Sequence, residues 1–241
     1  MSLRLLALTA VTLAGLFGAG LASGQDGYRE ITVVNGATIS GEATHAGSPP
    51  GPFTIWVKKN ADVFGEKLPD ERIIVSRAGK IKNVVVTLEG IREGKRWPNH
   101  RSRLINKGGL FVPHLQVVRA GSQLEVINQD PVLHNSHAYL DGRTLFNLAQ
   151  PNKDQVIRKP LRRSGIVGLM CDAHDWMNGW IAVLEHPYFA ITGEDGSYTI
   201  AEVLPGTYTL AAWHEKLGRQ QVRVTVAAKE QKRVNLTFPA K

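Results

Sequence analysis

The sequence predicts an all-β protein built as two modest sandwiches, and three of its features carry that prediction. Short runs of alternating apolar and polar residues recur along the chain, and turn pairs such as Asp141-Gly142 and Pro205-Gly206 punctuate them. No helical periodicity of useful length follows residue 24. With 241 residues, 43% hydrophobic and 21% charged, the chain has material for one large core or two smaller ones.

Residues 1–24 stand apart from that globule. Arg4 precedes an apolar run from Leu5 to Ala22, and the small residues Ala22-Ser23-Gly24 follow, the pattern of an export signal. The alternative is an uncleaved anchor, since a run of this length can just span a bilayer. Either way the expected location is periplasmic or otherwise exported, with membrane attachment only if the signal is retained.

Residues 25–100 carry strand patterns at Ile31 to Val34, Ile39 to Ala43, Phe53 to Val57, Ile73 to Val75 and Asn83 to Leu88. A polar connection runs from Lys58 to Glu71, and the basic stretch Gly90 to Lys107 reads as a surface loop. Residues 101–187 have a regular strand-and-turn rhythm, with Leu124 to Asn128, His134 to Leu140, Gly165 to Met170 and Trp180 to Leu184 as its clearest strands. Residues 188–241 add five more, among them Ser197 to Ile200 and Thr207 to Trp213. Neither flank has enough strands to bury a core alone. The two flanks are therefore expected to pack together as one split sandwich, with the middle block inserted between them.

The chemistry concentrates at the end of one strand in that block. Gly165 to Met170 delivers Cys171, the only cysteine, and His174 and Met177 follow at three-residue intervals. Thiolate, imidazole and thioether on one short loop form a soft ligand set. One further histidine would complete the His2Cys arrangement with a long axial Met that holds copper for electron transfer. His134 is the candidate, and Asn135 beside it can hydrogen-bond to the Cys171 loop and tie the two ligand segments together. His137 falls on the opposite face of an extended strand from His134 and is not counted as a ligand. His45, His100, His114, His186 and His214 are scattered and read as structural or solvated.

A lone cysteine in an exported chain also fits an intermolecular bond, a reactive thiol or a small buried apolar group. His174 and Met177 on the same loop favour the metal. One cysteine is too few for a binuclear copper centre, and no His-x-His pair exists for a multicopper oxidase. No phosphate-binding glycine loop or Gly-x-Ser-x-Gly is present, so an enzyme is not expected. The net charge of +8 suits an acidic protein partner, an anionic surface or simple solubility, and export argues against nucleic acid.

From about Leu104 to Leu184 the chain resembles the cupredoxins, and amicyanin-like ones most. The matching pieces are Gly121 to Asn128 leading to His134-Asn135, then Cys171-x-x-His174-x-x-Met177. That resemblance implies a Greek-key β-sandwich and one type 1 (blue) copper, with His134, Cys171 and His174 equatorial and Met177 axial. Leu133 and Ala173 stand where that family has prolines, which leaves the fold intact and bears on the reduction potential. Over most of its length the chain is also similar to exported proteins loosely called methylamine utilisation proteins, through His174-Asp175-Trp176-Met177 and Trp213-His214. The flanks resemble the carboxypeptidase regulatory, transthyretin-like domain in Asp195-Gly196-Ser197-Tyr198 and Pro205-Gly206-Thr207-Tyr208.

The expected function is one-electron transfer with a redox protein partner, such as a cytochrome c or a dehydrogenase. Copper trafficking without redox turnover and a structural module with incidental metal are the alternatives. If electrons pass, His174 is expected to present an imidazole edge at the surface, with Trp176 and Trp180 giving aromatic area beside it. Arg162 and Arg163 would then steer an acidic partner.

Overall fold

The structure is a computed structural model that describes residues 27–99 and 101–240; the signal expected at residues 1–24, and His100, lie outside the described residues. Among the described residues, no helix is long and apolar enough to cross a membrane. The first flank contributes β1 (Arg29–Glu30), β2 (Ala37–His45), β3 (Thr54–Trp56), the single helical turn α1 (Ala61–Phe64), β4 (Lys67–Pro69), β5 (Val85–Glu89) and β6 (Glu93–Gly94). The middle block holds β7 (Ser102–Lys107), β8 (Leu110–Val112), β9 (Leu115–Arg119), β10 (Gln123–Asn128) and β11 (His134–Leu140). It continues with β12 (Arg143–Gln150), β13 (Val156–Pro160), β14 (Gly165–Met170) and β15 (Asn178–Leu184). The last flank is β16 (Phe189–Ile191), β17 (Ser197–Val203), β18 (Gly206–His214), β19 (Gly218–Val226), β20 (Gln231–Arg233) and β21 (Leu236–Phe238).

The middle block is a sandwich of two sheets, ordered β13-β10-β7-β8 and β12-β11-β14-β15-β9. From β12 the chain crosses to β13 in the opposite sheet and returns as β14 beside β11, which is a Greek-key connection. The β11–β12 hairpin turns at Asp141 and Gly142, both with positive φ (52° and 72°), the conformation that matches strand twist. Leu104, Leu124, Val126, Ala138, Val167 and Ile181 are fully buried between the sheets.

The stretch Gly90 to Lys107, read from sequence as a loop, contains β6 and the paired strand β7. Its inward positions are Ser102, Leu104 and Asn106, so two of three are polar and the apolar alternation is hidden. Asn106 is fully buried, and its Nδ2 donates to Gln150 Oε1 at 3.0 Å while its Oδ1 has no hydrogen-bond partner.

The two flanks build the second sandwich jointly. β2 pairs with β17, β20 and β21, and β5 pairs with β16 and β18, so each sheet takes strands from both ends of the chain. Ile39, Val86, Leu88, Ile200, Leu210 and Phe238 form its core. A third apolar cluster joins the sandwiches: Leu115 and Val117 of β9 and Ala182 of β15 meet Val85 of β5, with Trp97, Trp180 and Trp213 packed around them. The β3–α1–β4 segment belongs to neither sheet pair, since β3 and β4 pair only with each other. This excursion from the first flank lies against the end of the middle sandwich, where the candidate ligands are.

Candidate metal centre

β11 begins with His134, and β14 ends one residue before Cys171; the two strands pair antiparallel, so both residues fall at the same end of one sheet. The loop from Cys171 to β15 then turns tightly. His174 N–H donates to Cys171 O at 3.3 Å, and Met177 N–H donates to His174 O at 3.0 Å. Cys171 Sγ lies 3.9 Å from His134 Nδ1 and 3.7 Å from His174 Nδ1. These ligand atoms all lie within 4.8 Å of one another, and the three residues are 0–2% exposed. Met177 is 1% exposed and packs in the same apolar cluster as Cys171.

The donor set fits a borderline-soft metal. Two bonds of about 2.3 Å to sulfur and about 2.0 Å to nitrogen can span such separations. Each imidazole also has its far nitrogen occupied, which leaves Nδ1 bare. His134 Nε2–H donates to Asp130 Oδ2 at 2.9 Å, and His174 Nε2–H donates to Asn60 Oδ1 at 3.0 Å. Partners of this kind fix the tautomer and aim the lone pair.

Electrostatics follow from those contacts. Burial pushes the Cys171 thiol up, but His134 and the N–H groups of Asn135, Ala173 and His174 together outweigh it and hold the thiol below its ordinary value. Burial also opposes charge on His134, while Asp130 and Cys171 more than offset it and raise the imidazole above its usual range. His174, buried and facing His134 and Lys59, is held down at about 4, so it stays a neutral donor near pH 7.

Asn135 joins the two ligand segments. Its N–H lies 3.5 Å from Cys171 Sγ, its Oδ1 accepts from Ala173 N–H at 3.2 Å, and its Nδ2 donates to Asp172 at 2.8 Å. His137 points away from the cluster: it stacks on Tyr139 and bonds Asp172.

Two further groups complete the site, and both escaped the sequence reading. Asp130 takes N–H donors from Gly108 at 2.7 Å and Gly109 at 3.1 Å as well as His134. Its spacing of four residues before His134 was the only signal. Asn60 and Phe64, from the β3–α1–β4 excursion, had none. The Phe64 ring lies 5.8 Å from His134, 5.4 Å from His174 and 6.4 Å from Trp176. Lys58 pairs with Asp175, and Lys59 Nζ donates to Ala173 O, so the excursion is tied to the ligand loop at its rim. Gly109, at φ 71°, makes the close fit possible: a Cβ there would sit 3.1 Å from Phe64 and 3.2 Å from Leu68.

The expected surface edge at His174 is therefore corrected. The residue is 1% exposed because Asn60 and Phe64 cover it. Trp176 is half-buried, 5.1 Å from His174, with its Nε1–H donating to Gly109 O. Trp180 is not near that edge at all; it packs on Trp213 between the two sandwiches. Arg162 and Arg163 precede β14, whereas Cys171 follows it. A strand rise of about 3.3 Å per residue puts them roughly 25 Å from the thiol. The basic side chains beside the site are Lys58 and Lys59.

A family model described as polysaccharide lyase family 4, domain II, matches residues 161–234, under a third of the chain. No curated protein matches. Among solved structures, the chain is similar to a novel purple cupredoxin from Nitrosopumilus maritimus, with 22% identity over 34% of this chain and 99% of that one, at a TM-score of 0.31. It is also similar to amicyanin from Paracoccus versutus, with 17% identity over 41% and 97% and a TM-score of 0.32. A copper-containing nitrite reductase from Thermus scotoductus SA-01 matches with 19% identity over 39% of this chain and 24% of that one, at 0.32.

Proposed function

We propose that this chain is an exported mononuclear type 1 copper protein that carries single electrons. The observation that carries the reading is one buried cluster of His134 Nδ1, Cys171 Sγ and His174 Nδ1, with both imidazoles held by their far nitrogens. In this reading His134, Cys171 and His174 would hold the copper, with the Met177 thioether as a further, weaker donor. Copper bound there would supply a reversible one-electron couple.

The surrounding residues do the rest. Asp130 and Asn60 hold the imidazoles, Asn135 holds the thiolate, and Phe64 and Trp176 keep water away. Burial of all three ligand atoms favours a carrier over a trafficking protein, because metal hand-over needs ligands that a second protein can reach. The partner we propose is another redox protein, such as a cytochrome c or a dehydrogenase, with Trp176 on the route to it. The flank sandwich, transthyretin-like in our reading, supports the site by supplying the excursion that covers it.

Metal analysis and voltammetry of the purified protein test this. One copper per chain with a reversible one-electron wave is expected, and Cys171→Ser should lose both. A protein that takes only zinc, or whose copper shows no reversible wave, overturns the reading.

A further inference from the structure

We infer that Asn60 is a positioning residue for His174, so that a ligand of the middle sandwich is set by a segment of the first flank. The inference rests on the metal-site reading above and adds a residue 114 positions away in sequence. Three observations meet at this side chain.

First, its carbonyl Oδ1 is 3.0 Å from His174 Nε2, the atom opposite the one that faces Cys171. Second, Asn60 occupies the residue before α1, where an asparagine side chain ordinarily accepts from the first helical N–H groups. It makes no such bond here; only its backbone carbonyl accepts, from Val63 and Phe64 N–H. Third, its backbone is left-handed, with φ 58° and ψ 39°, which Asn tolerates better than most residues. The strained turn and the forgone cap together aim the amide oxygen at the imidazole.

The consequence is chemical. An acceptor at Nε2 stabilises the tautomer that leaves Nδ1 unprotonated, and it stops the ring from rotating about its Cβ–Cγ bond. His134 has a carboxylate in the corresponding place, so the two imidazoles are tuned differently: His134 is the more basic donor and His174 the weaker one. The pinning is also interdomain, since Lys58 and Lys59 clamp the same segment on Asp175 and Ala173.

Two substitutions separate positioning from packing. Asn60→Gly keeps the positive φ accessible and removes the acceptor. Asn60→Asp keeps an acceptor and adds charge. In metal-free protein, imidazole 15N shifts should report a single Nε2–H tautomer for His174 in the parent and in Asn60→Asp, and a mixture in Asn60→Gly. Cu(I) affinity, measured against a chromogenic chelator, should fall about 10- to 100-fold in Asn60→Gly and return in Asn60→Asp. An Asn60→Gly protein with parental tautomer and affinity overturns the inference. If the parent binds no copper, the proposed function fails, and the metal-free tautomer comparison alone still decides on Asn60. Should Asn60→Gly not fold, Asn60→Asp carries the test, because charge added at Nε2 must lower the reduction potential; an unshifted potential overturns the inference.

Discussion

Asp130 shows how much of the site is held by one carboxylate. Oδ1 takes Gly108 N–H, and Oδ2 takes Gly109 N–H and His134 Nε2–H. Asn at this position offers a single oxygen, so at least one of three donors loses its acceptor and the charge behind His134 is gone. Asp130→Asn should weaken copper binding about 10- to 100-fold and raise the reduction potential, as a chelator titration and voltammetry would show. A second single-residue prediction concerns acid stability. His214 is 1% exposed, and its Nδ1 accepts the N–H groups of Lys216 and Leu217 that close the β18–β19 hairpin. Burial holds its pKa at about 4, down from 6.5. The folded state therefore refuses a proton that the unfolded chain takes, and stability present above pH 6.5 is lost as pH falls toward 4. The loss is about 3 kcal/mol. His214→Asn, which keeps an acceptor but cannot titrate, should flatten that part of the stability profile in urea melts at pH 7.5 and pH 4.5.

At the scale of elements, the β3–α1–β4 excursion is the piece that turns a ligand cluster into a sealed site. It rests on the β7–β8 turn, where Gly108 and Gly109 both have positive φ (61° and 71°). Gly109→Ala would be strained in that conformation and would press its methyl on Phe64 and Leu68. We expect a cost of about 1–2 kcal/mol and, more tellingly, faster removal of bound copper by a chelator, because the cover is pushed outward. An unchanged removal rate would mean that the excursion does not limit access. The ligand loop itself was legible in the sequence: a strand ending at one cysteine, with His and Met at three-residue steps, needs only local geometry. The excursion was not. Lys58 to Glu71 shows no apolar period, and nothing local in Asn60 or Phe64 betrays a partner more than 100 residues away. Hidden likewise was β7, because two of its three inward residues, Ser102 and Asn106, are polar.

For the whole molecule, each sheet of the flank sandwich takes strands from both sides of the middle block. Its strands were readable from alternation, and their shared core follows from each flank's having too few to close one. What alternation does not encode is the third cluster, where Trp180 and Trp213 meet at 5.0 Å and lock the sandwiches together. Leu88→Ala, in the fully buried core of the flank sandwich, should cost about 2–5 kcal/mol while leaving the copper spectrum of the folded protein unchanged. A spectral change at temperatures well below the melt would show that the two sandwiches are coupled more tightly than their contacts imply. The central claim, however, is that Cys171 binds copper as a thiolate together with His134 and His174, and the visible absorption spectrum of the Cu(II)-loaded protein tests it most directly. The account predicts an intense thiolate-to-copper band that disappears in Cys171→Ser. A Cu(II)-loaded protein with no visible band beyond the weak absorption of nitrogen- and oxygen-bound copper would contradict it.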